Sequence, residues 1–289
     1  MSDAVLLTDS CCDLPLEMVE AAGIEYVNFS WILDGVEHPD DLGQTVSHDD
    51  FYATIESGAV VKTAMVPVAD YLAAFERLTA GGRPVVYIAF SSALSGSFDV
   101  SLTAREQFLA EHPDAEIHCI DSKCASTGQG LLVLGAAELV RQGASAEEVV
   151  RWAEENRLRV NHTFTVDSFE HLVRGGRVSP AVGKVGSVLN IKPVMRVDAT
   201  GALEVVKKPR GRHIAIETIV DMVAERVGDP NWVVFISHGD CAKDAETLRS
   251  LLVERCGLTN ARTGRVGTAI GAHTGPGVLC AFFWGEARA

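Results

Sequence analysis

The sequence carries no CxxC pair, no basic segment leading into an apolar one, and no apolar run near membrane-span length. Each absence removes a class of protein. The seven cysteines (Cys11, Cys12, Cys119, Cys124, Cys241, Cys256, Cys280) are odd in number and too dispersed for a zinc cluster. Several sit in apolar runs such as VLCAFF, where a thiol packs as a small hydrophobe. The expectation is reduced thiols in a cytoplasmic protein without a metal. MSDAVLLTDS does not have the pattern of a signal peptide. A membrane helix needs about 20 apolar residues in a row, and none is expected. Positive charge is scarce too: 25 Lys and Arg against 39 Asp and Glu give a formal net charge of −14. That balance argues against nucleic acid or an anionic membrane surface as partner, while leaving room for a local small-anion site. The phosphate-loop pattern GxxxxGK[ST] and the nucleophile elbow GxSxG are also missing.

What is present describes a globular chain. At 289 residues, 47% hydrophobic and 22% charged, it has room for one large domain or two ordinary ones. The first half alternates strand and helix. AVLL (4–7) reads as a buried strand, followed by a helix over 14–22 with Asp13 as cap, Pro15 in its first turn and Gly23 past its end. Ser47 and Asp50 have capping-box spacing before FYATIES, which Gly58 stops. Pro67 opens VADYLAAFERLTA, and Gly81-Gly82 close it. VVYIAF and AEIHCI read as strands that pass through serine-containing turns into helices, and Ser145 with Glu148 caps EEVVRWAEENR. Short apolar strands alternating with helices predict a parallel sheet covered on both faces.

The second half changes character. HTFTV (162–166) reads as a strand, FEHLVRGGR and SPAVGKVGSVL as helical, and IKPVMRVDATGALEVVKK as two strands around Ala-Thr-Gly. HIAIETIVDMVAERV and KDAETLRSLLVERC are helical, separated by the strand WVVFIS, and VLCAFFW is a terminal strand. An antiparallel element in this order predicts a separate α+β domain. The boundary falls near residue 160, giving domains over 1–160 and 161–289.

In a doubly wound sheet, ligands gather outside the carboxyl ends of the strands, where helix N-termini point. Four polar turns fall there: Thr8-Asp9-Ser10, Lys62-Thr63, the run from Ser91-Ser92 to Ser95-Gly96-Ser97, and Asp121-Ser122. Backbone N–H groups and helix dipoles at such turns favour an anion, and hydroxyls bind its oxygens without adding a competing charge. Serine is also a preferred N-cap, so capping is the reading for any one of these serines alone. The SSALSGS cluster as a whole is assigned to ligand contact, because one helix needs only one cap. GAHTGPGVLCAFF (271–283) places His273 just before a sharp Gly-Pro-Gly turn, in a structural role or as an imidazole holding a carboxylate. RGGR (174–177) and KKPRGRH (207–213) are basic islands in an acidic chain. They read as solvated charge near helix ends, or as contacts for phosphate or an acidic partner.

TDSCCDLP (8–15), KTAMVP (62–67), SSALSGSF (91–98) and IDSKCASTGQG (120–130) resemble successive motifs of the DegV family. FEHLVRGGR (169–177), LNIKPVMRVDATG (189–201), KPRGR (208–212) and HTGPG (273–277) continue the series in the family's order, over nearly the whole chain. The resemblance implies an α/β fold of two domains: an N-terminal three-layer α/β/α domain with a mainly parallel sheet, and a C-terminal two-layer α/β domain with a mixed sheet. It implies a cytoplasmic lipid-binding carrier, not itself a catalyst, that holds a long-chain fatty acid between the domains with its tail in an apolar tunnel. No cofactor or metal is implied. The carrier would present the carboxylate to a separate fatty acid kinase, and the acyl phosphate formed would enter phospholipid synthesis. Carried over by position, the carboxylate-binding threonine falls on Thr63, the serine on Ser95 and the histidine on His273. The arginine associated with kinase docking or phosphate handling falls on Arg210, with Arg212 and Arg177 as alternatives.

One stretch departs from the pattern. Where the family commonly reads Thr-Ser-Gln-Pro-Ser, this chain reads Thr63-Ala64-Met65-Val66-Pro67. Thr63 is kept, two hydroxyls and an amide are lost, and Met65 and Val66 are expected to extend the apolar wall. From the residues alone a second function stays open: a hydrolase or acyl transferase with Ser95 as nucleophile, His273 as base, and Asp9 or Asp121 orienting that base. A nucleotide-binding module is ranked below both, for want of a phosphate loop.

Overall fold

In a computed structural model, residues 4–181 and 190–289 are described. Beyond Ala181, the helix expected over SPAVGKVGSVL lies outside them.

The first sheet is parallel and ordered β2–β1–β6–β7, from β1 (Val5–Asp9), β2 (Glu25–Val27), β6 (Val85–Ala89) and β7 (Ile117–Asp121). Its inner strand β6 is buried along its whole length because both faces are covered. Leu6, Val86, Ile88 and Ile120 pack beneath α5 (Thr127–Arg141) and α6 (Ala146–Asn156). Their neighbours in the pleat, Leu7, Val85, Tyr87 and Ala89, pack beneath α3 (Val68–Leu78) and α4 (Ser97–Glu111). That is the three-layer arrangement.

The second sheet is mixed, ordered β10–β9–β8–β13–β11–β12, and only its last pair is parallel. It comprises β8 (Val160–Thr165), β9 (Val194–Val197), β10 (Leu203–Lys207), β11 (Val234–His238), β12 (Ala261–Arg265) and β13 (Leu279–Trp284). One face carries α8 (Arg212–Arg226) and α9 (Ala242–Cys256), packed on Val194, Ile236, Leu279, Ala281 and Phe283. The opposite face turns Phe164, Met195, Cys280 and Phe282 toward the first sheet's helices, sharing a core with α5. Two layers therefore stand against three, with an apolar seam between them.

A third sheet, antiparallel and ordered β4–β3–β5, was not expected. It is built from β3 (Ser30–Leu33), β4 (Val36–Pro39) and β5 (Lys62–Ala64). Its strands are short and half exposed, so they lack a continuous apolar run, yet Asp34-Gly35 at positive φ forms the hairpin turn between them. Trp31 anchors this sheet against Phe51 of α2 (His48–Glu56).

Helix capping follows the sequence in two places and departs in one. Ser47 Oγ accepts from Asp50 N at 3.1 Å, and Ser145 with Glu148 closes a reciprocal capping box. Asp13 does not cap the next helix, α1 (Leu16–Ala21), whose N-cap is Pro15 without a side-chain bond. Instead Asp13 ends a 3₁₀ turn over Ser10–Cys12 at φ 49° and turns its carboxyl inward to Ser126. A short helix, α10 (Thr268–Thr274), was likewise unexpected, and it places His273 in a last helical turn instead of a glycine-rich loop. Among the described residues, no helix is long and apolar enough to cross a membrane.

Candidate functional site

The seam between the two halves opens into a cavity of about 170 Å³. A single water needs only roughly 10–15 Å³, so this space is more than a packing defect. Phe164, Cys280 and Phe282 wall it from the second sheet, and Phe29, Phe90 and Leu94 from the first half. Val197 and Leu203, flanking the β9–β10 turn, close one side. Met65 also lines the cavity while remaining 47% exposed, as an extended apolar wall would require. Val66 does not line it; its side chain is fully buried in the core under α3, contrary to expectation.

Polar groups converge at one region of this wall. Thr63 in β5 and His273 in α10 are 210 residues apart, yet Thr63 Oγ1 and His273 Nε2 lie 2.8 Å from each other. Burial pushes the His273 imidazole down to about 4, and the charges of Arg177 and Arg174 push the same way, so the ring is neutral near pH 7. Among the described residues its Nδ1 makes no hydrogen bond; it faces Gly175, where an added Cβ would stand only 2.0 Å away. A lone pair at Nδ1 can face a C–H, whereas a buried N–H there would be left unpaired. The proton therefore sits on Nε2 and is donated to Thr63 Oγ1, which frees the threonine hydroxyl hydrogen for another acceptor.

A second contact repeats this packing in the opposite sense. A Cβ on Gly275 would fall 2.5 Å from His171 Cδ2. The FEHLVRGGR and HTGPG segments thus interlock, each histidine seated on the other segment's glycine.

Ser95 lines the same cavity. Its Oγ accepts from Ser97 N at 3.2 Å, which leaves its own hydroxyl hydrogen to donate. The rest of the serine cluster is structural, a correction to the sequence reading. Ser91 Oγ donates to the Gly201 carbonyl, Ser92 Oγ to Asp121, and Ser97 Oγ pairs with Tyr71. The polar turn at Thr8-Asp9-Ser10 is also consumed internally: Asp9 accepts from Tyr87, Gln129 and the amides of Phe90 and Cys11.

Arg177 was named in the sequence only as an alternative to Arg210, but it is the arginine that lines the cavity. Its Nε donates to the Leu94 carbonyl at 3.0 Å and its Nη1 to Gly175 at 2.6 Å, so carbonyls fix a half-buried cation beside His273. Burial lowers its pKa from the usual guanidinium value. Arg210 is exposed, lies outside the cavity lining and makes no ion pair among the described residues. Arg212 is committed to Asp167 and Asp244. No serine–histidine–aspartate triad is assembled among the described residues. His273 Nε2 meets Thr63, its Nδ1 meets no carboxylate, and Asp121 is bound to Ser92 and the Lys123 amide.

A model of the DegV family, described as uncharacterised, matches residues 4–286. A DegV domain-containing protein of Clostridium perfringens is 38% identical over 289 residues, covering 100% of this chain and 99% of the relative. Another from Streptococcus pyogenes is 30% identical over 281 residues, covering 97% of this chain and 98% of its own. Among solved structures, a fatty-acid-binding DegV family protein of Thermus thermophilus superposes with a TM-score of 0.87 at 27% identity, covering 98% and 99% of the two chains. A DegV lipid-binding protein of Thermotoga maritima gives 0.86 at 25% identity over 100% of both.

Proposed function

The chain belongs to the DegV family, and on that premise we propose that it carries one long-chain fatty acid in the cavity between its two sheets. The observation that carries this reading is one apolar cavity with two free hydroxyl donors and one cation at one region of its wall. Thr63 and Ser95 each have a hydroxyl hydrogen to give, His273 Nε2–H orients the threonine, and Arg177 supplies the counter-charge. A carboxylate takes up such donors, and the acyl tail fits the phenylalanine-lined remainder at about 0.8 kcal/mol per buried methylene. Solved relatives are named for the same ligand: the Thermus thermophilus protein for fatty acid binding and the Thermotoga maritima protein for lipid binding.

In this reading the chain divides near residue 160 and the ligand lies between residues 1–160 and 161–289. The protein acts in the cytoplasm, and its occupant is presented to a separate fatty acid kinase that meets the exposed Arg210 and phosphorylates the carboxylate. The experiment is a titration of delipidated protein with saturated and unsaturated long-chain acids, read as thermal shift and as direct binding. Ligand binding to the native state should raise the melting temperature by mass action, and Thr63→Val should weaken the binding. An unchanged melting temperature across the whole series would refute the reading.

A further inference from the structure

The first turn of α10 rests on two buried carboxyl groups that the carboxylate site does not use. Asp13, at the end of the 3₁₀ turn, and Asp40, just beyond β4, are 6% and 1% exposed. A Cβ on Gly267, the N-cap of α10, would lie 2.3 Å from Asp13 Oδ1 and 3.6 Å from Asp40 Oδ1, so both acids meet over the same backbone atom. One oxygen of each is paired. Ser126 Oγ donates to Asp13 Oδ2, and Thr268 Oγ1 donates to Asp40 Oδ1 at 2.7 Å. Asp13 Oδ1 and Asp40 Oδ2 make no hydrogen bond among the described residues, although the Gly267 amide and the Ser10 hydroxyl lie beside the pair.

No positive charge compensates them. Neither acid takes part in a salt bridge among the described residues. The other titratable groups facing the pair are Asp9, Cys11 and Cys12 from β1 and the 3₁₀ turn, His48 and Tyr52 from α2, and Cys280 from β13. Burial raises the thiols and the tyrosine and lowers His48, so these five stay neutral near pH 7, and Asp9 can only add negative charge. Two buried like charges without a counter-charge do not both ionise.

We propose that Asp13 and Asp40 share one proton, and that the resulting singly charged pair holds the first turn of α10 in place and so sets His273 against Thr63 at the helix's other end. Both are positioning residues, since neither lines the cavity. Burial raises both carboxyl groups, with mutual repulsion adding at Asp13. A carboxyl raised in the folded state stabilises the fold below its unfolded pKa, and that contribution is lost as pH rises through the folded pKa. The helix should therefore loosen on the alkaline side. The consequence for binding rests on the fatty-acid reading; the proton and the helix position do not.

The test uses ligand-free full-length protein first. Carboxyl-carbon NMR should show one of the two acids protonated at about pH 7, and the His273 ring signals should shift as that proton is lost at higher pH. Asp40→Asn keeps the shape and replaces the shared proton with a permanent donor, so it should hold the ring signals fixed over the same range. Fatty-acid affinity should fall about tenfold across that alkaline transition in the parent protein, and by less than about twofold in Asp40→Asn. Asp13→Asn gives the same comparison where Asp40→Asn does not fold. Two ionised carboxyls at neutral pH, or a titrating His273 signal in the Asn variant, overturns the proposal. A protein that shows the proton and the His273 response yet binds no fatty acid upholds the pair and overturns the proposed function instead.

Discussion

His273 is a donor at Nε2 because burial and the neighbouring arginines deny its ring a second proton, and Gly175 leaves its Nδ1 nothing to donate to. Thr63→Val keeps the shape of the residue but strips the oxygen that accepts from Nε2. Affinity for a long-chain acid should fall by about 1–3 kcal/mol, since the carboxylate loses the threonine hydroxyl that donates to it; isothermal titration of the variant measures this. Asp9 gives a prediction of opposite chemical sense. Burial raises its carboxyl from 3.8 to about 6, against four hydrogen bonds that favour the ionised form. A folded pKa above the unfolded one means the fold is relatively stabilised at acid pH, and loses that contribution as pH rises through about 6. The loss amounts to about 2.4 kcal/mol between pH 4 and pH 7. Urea denaturation against pH should show this slope reduced in Asp9→Asn, with His273, lowered to about 4, contributing in the opposite direction.

At the scale of elements, what the sequence made legible was whatever a local rule encodes. Ser145 and Glu148 close their box because the spacing alone places both side chains over the same helix end. The strand Val85–Ala89 could be read because both sheet faces are covered, leaving an unbroken buried run. α10 was hidden, since seven residues including a glycine carry too little periodicity to register. The serine cluster misled for a related reason. Its partners, Gly201, Asp121 and Tyr71, lie 110, 29 and 26 residues away, and no local pattern announces them. Arg177 was named only as an alternative to Arg210, because its place at the cavity depends on the Leu94 carbonyl, 83 residues away in sequence.

The interlock of α7 (Glu170–Arg174) with α10 also belongs to this scale. Gly175→Ala puts a methyl group into the His273 ring, displacing it from Thr63. The cost is about 1–3 kcal/mol of stability from overpacking, with a loss of fatty-acid binding as large as that of Thr63→Val. Melting curves and binding titrations of the two variants side by side check this.

Over the whole molecule, the two halves share a buried core through α5, and the cavity exists where the seam between them is not filled. One tie lies at the chain's end. Arg288, 6% exposed, donates to the carbonyls of Asp198 at 2.9 Å and Arg157 at 3.0 Å, joining the β9–β10 turn to the end of the first half. Gly201 in that turn packs on Ser91 so closely that a Cβ would stand 2.2 Å from its hydroxyl. Arg288→Ala should release this corner: hydrogen exchange of the amides from 194 to 207 should quicken while those of Val85–Ala89 stay protected. Arg210, exposed and outside the cavity, should behave differently. Arg210→Ala should leave fatty-acid binding unchanged and slow acyl-phosphate formation by the proposed kinase, with a weaker dependence on salt.

The central claim is that the seam holds a fatty acid, and its most direct measurement is mass spectrometry of the organic extract of purified, gently denatured protein, quantified against protein concentration. The account predicts a long-chain fatty acid near one molecule per chain in the parent protein, and a marked deficit in the variant that combines Thr63→Val with Ser95→Ala. An extract free of fatty acid, from protein that also takes up none when long-chain acids are supplied, would contradict it.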